Sequence, residues 1–206
     1  FQERFHPSWL PNYAATLTDI VSLNANSVVL TPNWTFSRLA PPVLEPITGR
    51  NPSWLDNTQM IRQAQLQDLS VILKPVPQFP TVVDEWWAAA PRDFPWWVSW
   101  FDRYEAFSLH HADLADQNGV ETLVLGGDWM GPALPEGKLA DGNPSGVPPD
   151  ADVRYEELIN KIRERYEGKI GWALSYPEDI LDPPAFINSV DLLYILWSEP
   201  LAEDPN

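Results

Sequence analysis

Asp128 is the residue best placed to do chemistry. It follows Gly126 and Gly127 at the end of a leucine-rich and β-branched run and precedes Trp129. A glycine turn there can present a carboxyl group beside an aromatic ring able to desolvate it, as a proton donor requires. One carboxyl is not enough. Glycosidic bond cleavage takes two, about 5–5.5 Å apart when one is the nucleophile and about 6.5–9.5 Å apart when water must enter between them. Glu199, in WSEPL beyond another apolar run, is the second candidate, and Glu178 and Asp179 in SYPED raise the same question. Each has a plainer alternative. Asp128 can equally cap backbone N–H groups after a strand, and Glu199 can be a solvated loop acid.

Flat aromatic side chains suit the apolar C–H faces of sugar rings, and an indole N–H adds one directed hydrogen bond. Trp34, Trp86, Trp87, Trp129 and Trp197 fall at or beyond the ends of strand-like runs, and Tyr176 holds a comparable place. Asn33, Lys74 and Gln78 add polar groups able to read hydroxyls. These residues are the expected substrate-binding set, with Asp128 and Glu199 as the catalytic pair. The alternative for the aromatics is a core under long loops, and for Lys74 an ion pair with a rim acid. Trp96, Trp97 and Trp100 are spaced as a packed helix face. His110 and His111 are adjacent in a helical pattern and point to different faces, without a partner at metal-ligand spacing. The acid-rich stretch 136–152 lacks the spacing of an EF-hand. No metal and no cofactor are expected.

Composition narrows the partners. The formal charge of −16 repels phosphate backbones and anionic lipid surfaces, so nucleic acid and membrane are excluded as expected partners. No run approaches the roughly 18 apolar residues of a spanning helix. With no cysteine there is neither a disulfide framework nor a thiolate metal site. The chain opens on Phe1, so processing or a place within a longer polypeptide is expected, with further domains or subunits of a surface assembly around it.

Elements that would position these residues alternate along the chain. Nearly continuous apolar runs at 27–31, 70–74, 121–125, 170–174 and 191–196 read as strands covered on both faces. Between them, Leu17, Ile20 and Val21 follow a helical period. Asp56 to Gln59 reads as a capping box for a helix burying Met60, Ile61 and Ala64. A long helix is expected over 95–118 and another over 152–168, burying Leu158, Ile159 and Ile162. The long connections, 32–55, 75–94 and 126–151, all follow strands, which is how a parallel (β/α)8 barrel carries function; a Rossmann-type glycine turn is missing. The expected fold is α/β, one TIM-barrel-like domain over 1–206. Five strands against eight, and 206 residues against about 250, predict an incomplete barrel, cut after its sixth strand.

Several segments carry a family resemblance. VVLTPNW (28–34), VILKP (71–75), WWVSWFDRYEAFSLHHADLADQNGVETLVLGGDW (96–129) and VDLLYILWSEPL (190–201) resemble, in order and spacing, the β-mannanase-like glycoside hydrolase family 113. The resemblance implies that these strands are the second to sixth of a retaining, endo-acting glycosidase barrel on a β-linked polysaccharide such as mannan. Asp128 would then stand where the family has its acid/base Glu, while the seventh-strand nucleophile has no counterpart. Val76 replaces a frequent His after the LKP motif. Two functions follow as expectations: an extracellular or cell-surface hydrolase, or a catalytically inactive carbohydrate-binding module.

Overall fold

A computed structural model describes residues 9–198. Five parallel strands form one sheet in chain order: β1 (Ser27–Leu30), β4 (Ser70–Leu73), β5 (Thr122–Gly126), β6 (Lys169–Tyr176) and β7 (Leu192–Trp197). These are the five apolar runs of the sequence, displaced by no more than two residues at an end. The remaining strands, β2 (Thr35–Arg38) and β3 (Val43–Glu45), pair antiparallel inside the long connection after β1. The sequence of that stretch shows no strand signal, because each strand is too short to display a period.

Helices α1 (Leu10–Ser22), α2 (Trp54–Gln65), α4 (Phe94–Gln117) and α5 (Ala151–Arg163) carry the chain between strands, and α3 (Val83–Ala89) and α6 (Glu178–Leu181) are short additions. The start of α2 corrects the expected capping box. Ser53, three residues earlier than expected, is the N-cap: its hydroxyl accepts from the Asp56 N–H, and the Asp56 carboxylate accepts from the Ser53 N–H at 2.8 Å. Asp56 is thus the third residue of the helix rather than its cap. Helix α4 follows expectation, with the Asp93 carboxylate accepting from the Trp96 N–H and Gly119 adopting a left-handed φ just beyond its end.

Strand register sorts the side chains, because partners in adjacent strands share a face. Val71 and Leu73, Leu123 and Leu125, then Ile170, Trp172 and Leu174 project toward the helices and are buried. The opposite face carries Val29, Ile72, Val124, Ala173 and Tyr194. As the count of five strands predicts, the barrel is incomplete: among the described residues β1 and β7 are the two edges of an arc. The outer face of β7 shows the consequence. Leu193 and Ile195 share the side that is buried on β4, β5 and β6, yet both are exposed.

Candidate functional site

The connection after β5 begins with a forced turn. Gly126 and Gly127 have φ of +75° and +146°, where side chains are disfavoured, and a Cβ on Gly126 would lie 2.7 Å from the indole nitrogen of Trp172. The phenol oxygen of Tyr104 accepts from the Gly126 N–H at 3.2 Å and fixes the strand end to α4. The turn therefore places Asp128 at the mouth, outside the carboxyl ends of the strands, where parallel α/β folds hold their sites.

A cleft of 720 Å³ opens there. It is lined by Lys74, Asp128, Ser175, Tyr176, Tyr194 and Trp197, together with neighbouring residues of the β7 end. Lys74 lies just past β4 with its ammonium 5.2 Å from the centre of the Tyr194 ring, a cation–π contact. Burial lowers the Lys74 pKa from its ordinary value, and the nearby charge of Asp128 opposes that shift. Tyr176 and Trp197, paired in register across β6 and β7, stack with ring centres 4.1 Å apart at 11°. Trp197 is 52% exposed, so aromatic surface faces solvent at the mouth.

Four of the expected site residues, Asp128, Lys74, Tyr176 and Trp197, thus come together. Others do not. Trp86 and Trp129, 2% and 5% exposed, pack against Phe79, and Trp87 donates its indole N–H to the Trp129 carbonyl at 2.8 Å. For these rings the core under long loops replaces the expected sugar platform. Trp34 lies on α4 against His110 at 4.8 Å and Phe107 at 5.6 Å. Asn33 and Gln78 belong to a hydrogen-bond network on the β1 side, built around Asn51. Glu199 and the residues after it lie outside the described residues.

Asp128 is exposed, and one of its carboxylate oxygens accepts from the Trp129 N–H at 2.9 Å. The ring of Trp129 is turned into the core and is spent on Phe79 and Tyr104. The capping role weighed for Asp128 is therefore real, and it leaves the carboxyl at the cleft. Asp179 anchors the other rim, its carboxylate accepting from the Ser175 N–H at 2.9 Å. Among the described residues no group of three or more His, Asp or Glu is arranged to hold a metal, and no helix is long and apolar enough to cross a membrane.

Sequence reading missed Tyr194 and Ser175. Tyr194 sits inside an apolar run and Ser175 falls just past the end of one, because β6 runs two residues further than its apolar stretch; the period of two along β6 and β7 puts both on the face shared with Lys74.

A parallel sheet in chain order, with its polar and aromatic groups gathered at the carboxyl ends of the strands, is the arrangement of the TIM-barrel class. The chain belongs to Glycoside Hydrolase Family 113, which it matches over residues 9–136, more than half its length. Among solved structures it is similar to the GH113 β-mannanase AaManA from Alicyclobacillus acidocaldarius in complex with ManMIm, with a TM-score of 0.72 at 18% identity over 95% of this chain. A complex structure of a GH113 β-1,4-mannanase gives 0.69 at 15% identity over 95% of this chain, and a further GH113 β-1,4-mannanase structure 0.67 at 16% over 89%. The chain spans 58%, 59% and 56% of those three proteins, respectively. No curated protein matches it.

Proposed function

We propose that this chain forms the glycan-gripping wall of a hydrolase barrel acting on a β-linked, mannan-like polysaccharide. The observation that carries the reading is the 720 Å³ cleft at the strand ends, which unites a carboxyl, an ammonium and a stacked aromatic pair. Membership in family 113 and the likeness to proteins named β-mannanases support the choice of sugar. In this reading Lys74 and Tyr194, which share one face of the sheet, hold one sugar ring, while Tyr176 and Trp197, on the other face at the strand ends, extend the aromatic surface along the edge of the mouth. Asp128 is the only carboxyl among the described residues lining the cleft. It stands where the family resemblance puts the acid/base group, so it would protonate the glycosidic oxygen as the bond breaks and would activate water for the second step. Glu199, the second carboxyl expected from the sequence, lies outside the described residues. With a polymeric substrate, an extracellular or cell-surface location is part of the same proposal.

Titration with oligosaccharides of mannan, glucan and xylan, paired with a reducing-sugar assay, tests this. Trp197→Ala is expected to weaken binding of manno-oligosaccharide at least tenfold, and Asp128→Asn to abolish hydrolysis while binding persists. Failure to bind any of the three glycans overturns the proposal. Equal hydrolysis by the native protein and Asp128→Asn removes Asp128 as the acid, and binding without hydrolysis in the native protein confines the function to carbohydrate recognition.

A further inference from the structure

Asn51 was not singled out by sequence, yet its side chain is the centre of the polar network on the β1 side of the mouth. It is only 5% exposed. Its carbonyl oxygen accepts from the Ile47 N–H at 2.8 Å and from the Thr35 hydroxyl at 3.1 Å. Its amide nitrogen donates to the Asn33 carbonyl oxygen at 2.5 Å and toward that of Gln78 at 3.4 Å. All the hydrogen-bonding capacity of Asn51 is used.

The backbone dictates the polarity of this arrangement. A main-chain N–H can only donate, so Ile47 forces the Asn51 oxygen toward itself and the Asn51 nitrogen toward Asn33 and Gln78. Those two amides must then present oxygen inward, and their NH₂ groups must point away. No acceptor meets either nitrogen among the described residues, and both side chains are half-buried beside the mouth. Main-chain bonds hold Gln78 in place: the Phe36 N–H donates to the Gln78 carbonyl at 2.9 Å and the Gln78 N–H to the Trp34 carbonyl at 2.7 Å. Asn33 also borders a 310 Å³ hollow with Trp9, Tyr13, Thr31 and Met60, which supplies apolar walls next to the donor.

We infer that Asn51 is a positioning residue that turns the amide nitrogens of Asn33 and Gln78 outward as a paired donor site for the oxygen atoms of a glycan. This is a second sugar subsite, on the β1 side of the mouth and apart from the Asp128 cleft. It rests on the carbohydrate reading above. Neutral amide donors suit the hydroxyl and ring oxygens of a glycan.

Three near-isosteric variants test the inference. Asn33→Asp and Gln78→Glu keep the oxygen that faces Asn51 and replace the outward donor with an acceptor. Asn51→Asp still accepts from Ile47 and Thr35 but has no N–H to give, so Asn33 and Gln78 must rotate their NH₂ groups inward. Calorimetric titration with mannohexaose is expected to show about tenfold weaker binding in each variant, the effect of losing one hydrogen bond to the ligand, with the melting temperature changed by about 3 °C or less. Side-chain amide NMR signals of Asn33 and Gln78 should exchange with water in the native protein and become protected in Asn51→Asp, a change that a merely structural role for Asn51 would not produce. If Asn51→Asp does not fold, Gln78→Glu carries the test. Native-like affinity in Asn33→Asp and Gln78→Glu, with binding lost in Trp197→Ala, overturns this subsite and leaves the cleft proposal standing. A native protein that binds no manno-oligosaccharide overturns both.

Discussion

Two groups of indole rings in this molecule meet opposite fates. Trp86, Trp87, Trp96, Trp97 and Trp100 form a continuous packed cluster with ring centres 5.1–6.0 Å apart, whereas Trp197 stacks on Tyr176 at the mouth and is 52% exposed. Both groups include residues that follow a strand end in sequence, so that position alone does not make a ring available. The difference lies in the next element. Trp86 and Trp87 ride on α3, a short helix that folds back over the start of α4, while Trp197 ends β7 on a face that no described helix covers. Truncation should separate the groups by the widest margin of any change considered. Trp100→Ala is expected to cost about 3–5 kcal/mol of stability, as a large buried ring does, and Trp197→Ala about 1 kcal/mol, the scale of one aromatic pair. Denaturant unfolding measures both. Similar losses at the two positions would break the comparison.

The turn at Gly126 links core to mouth, since it runs from the buried indole of Trp172 to the exposed carboxyl of Asp128. Gly126→Ala puts a side chain at φ +75° and a methyl group 2.7 Å from the Trp172 ring. Left-handed strain and overpacking together are expected to cost about 2–4 kcal/mol. The change should also shift Asp128, so glycan hydrolysis should fall more than glycan binding, which Trp197 sustains. Loss of both in equal proportion would mean that the turn supports the whole mouth and not the carboxyl alone.

Much of this fold was legible in the sequence. The five parallel strands and α4 announced themselves because a strand covered on both faces leaves a run such as SVILK, and a long amphipathic helix repeats its apolar residues over many turns. The hairpin of β2 and β3 was not legible, because Thr35–Arg38 and Val43–Glu45 are shorter than any period they could display. The site was half legible. Asp128, Lys74, Tyr176 and Trp197 sit at strand ends and were found by position. Tyr194 was hidden inside an apolar run, and Asn51 in a loop. The importance of Asn51 comes from partners 16 to 27 positions away in the chain, at Thr35, Asn33 and Gln78. Nothing local could reveal it.

Trp34 stands between the two groups, half-buried over α4, and the histidines beneath it decide to which it belongs. His111 is wholly buried; its Nδ1 lies 2.7 Å from the Phe107 carbonyl, and its Nε2 has no partner among the described residues. Burial pushes its pKa down from 6.5 to about 3, and His110 is lowered by burial as well. Below pH 6.5 the unfolded chain therefore binds a proton at position 111 that the folded chain refuses until about pH 3, so this residue removes stability as pH falls through that window. Between pH 7 and pH 5 the loss from His111 is expected to be about 2 kcal/mol. His111→Gln, which cannot titrate, should unfold with a correspondingly smaller difference between the two pH values. If the native protein and His111→Gln lose stability equally, the helix surface under Trp34 is wet, and that ring belongs with Trp197 rather than with the core.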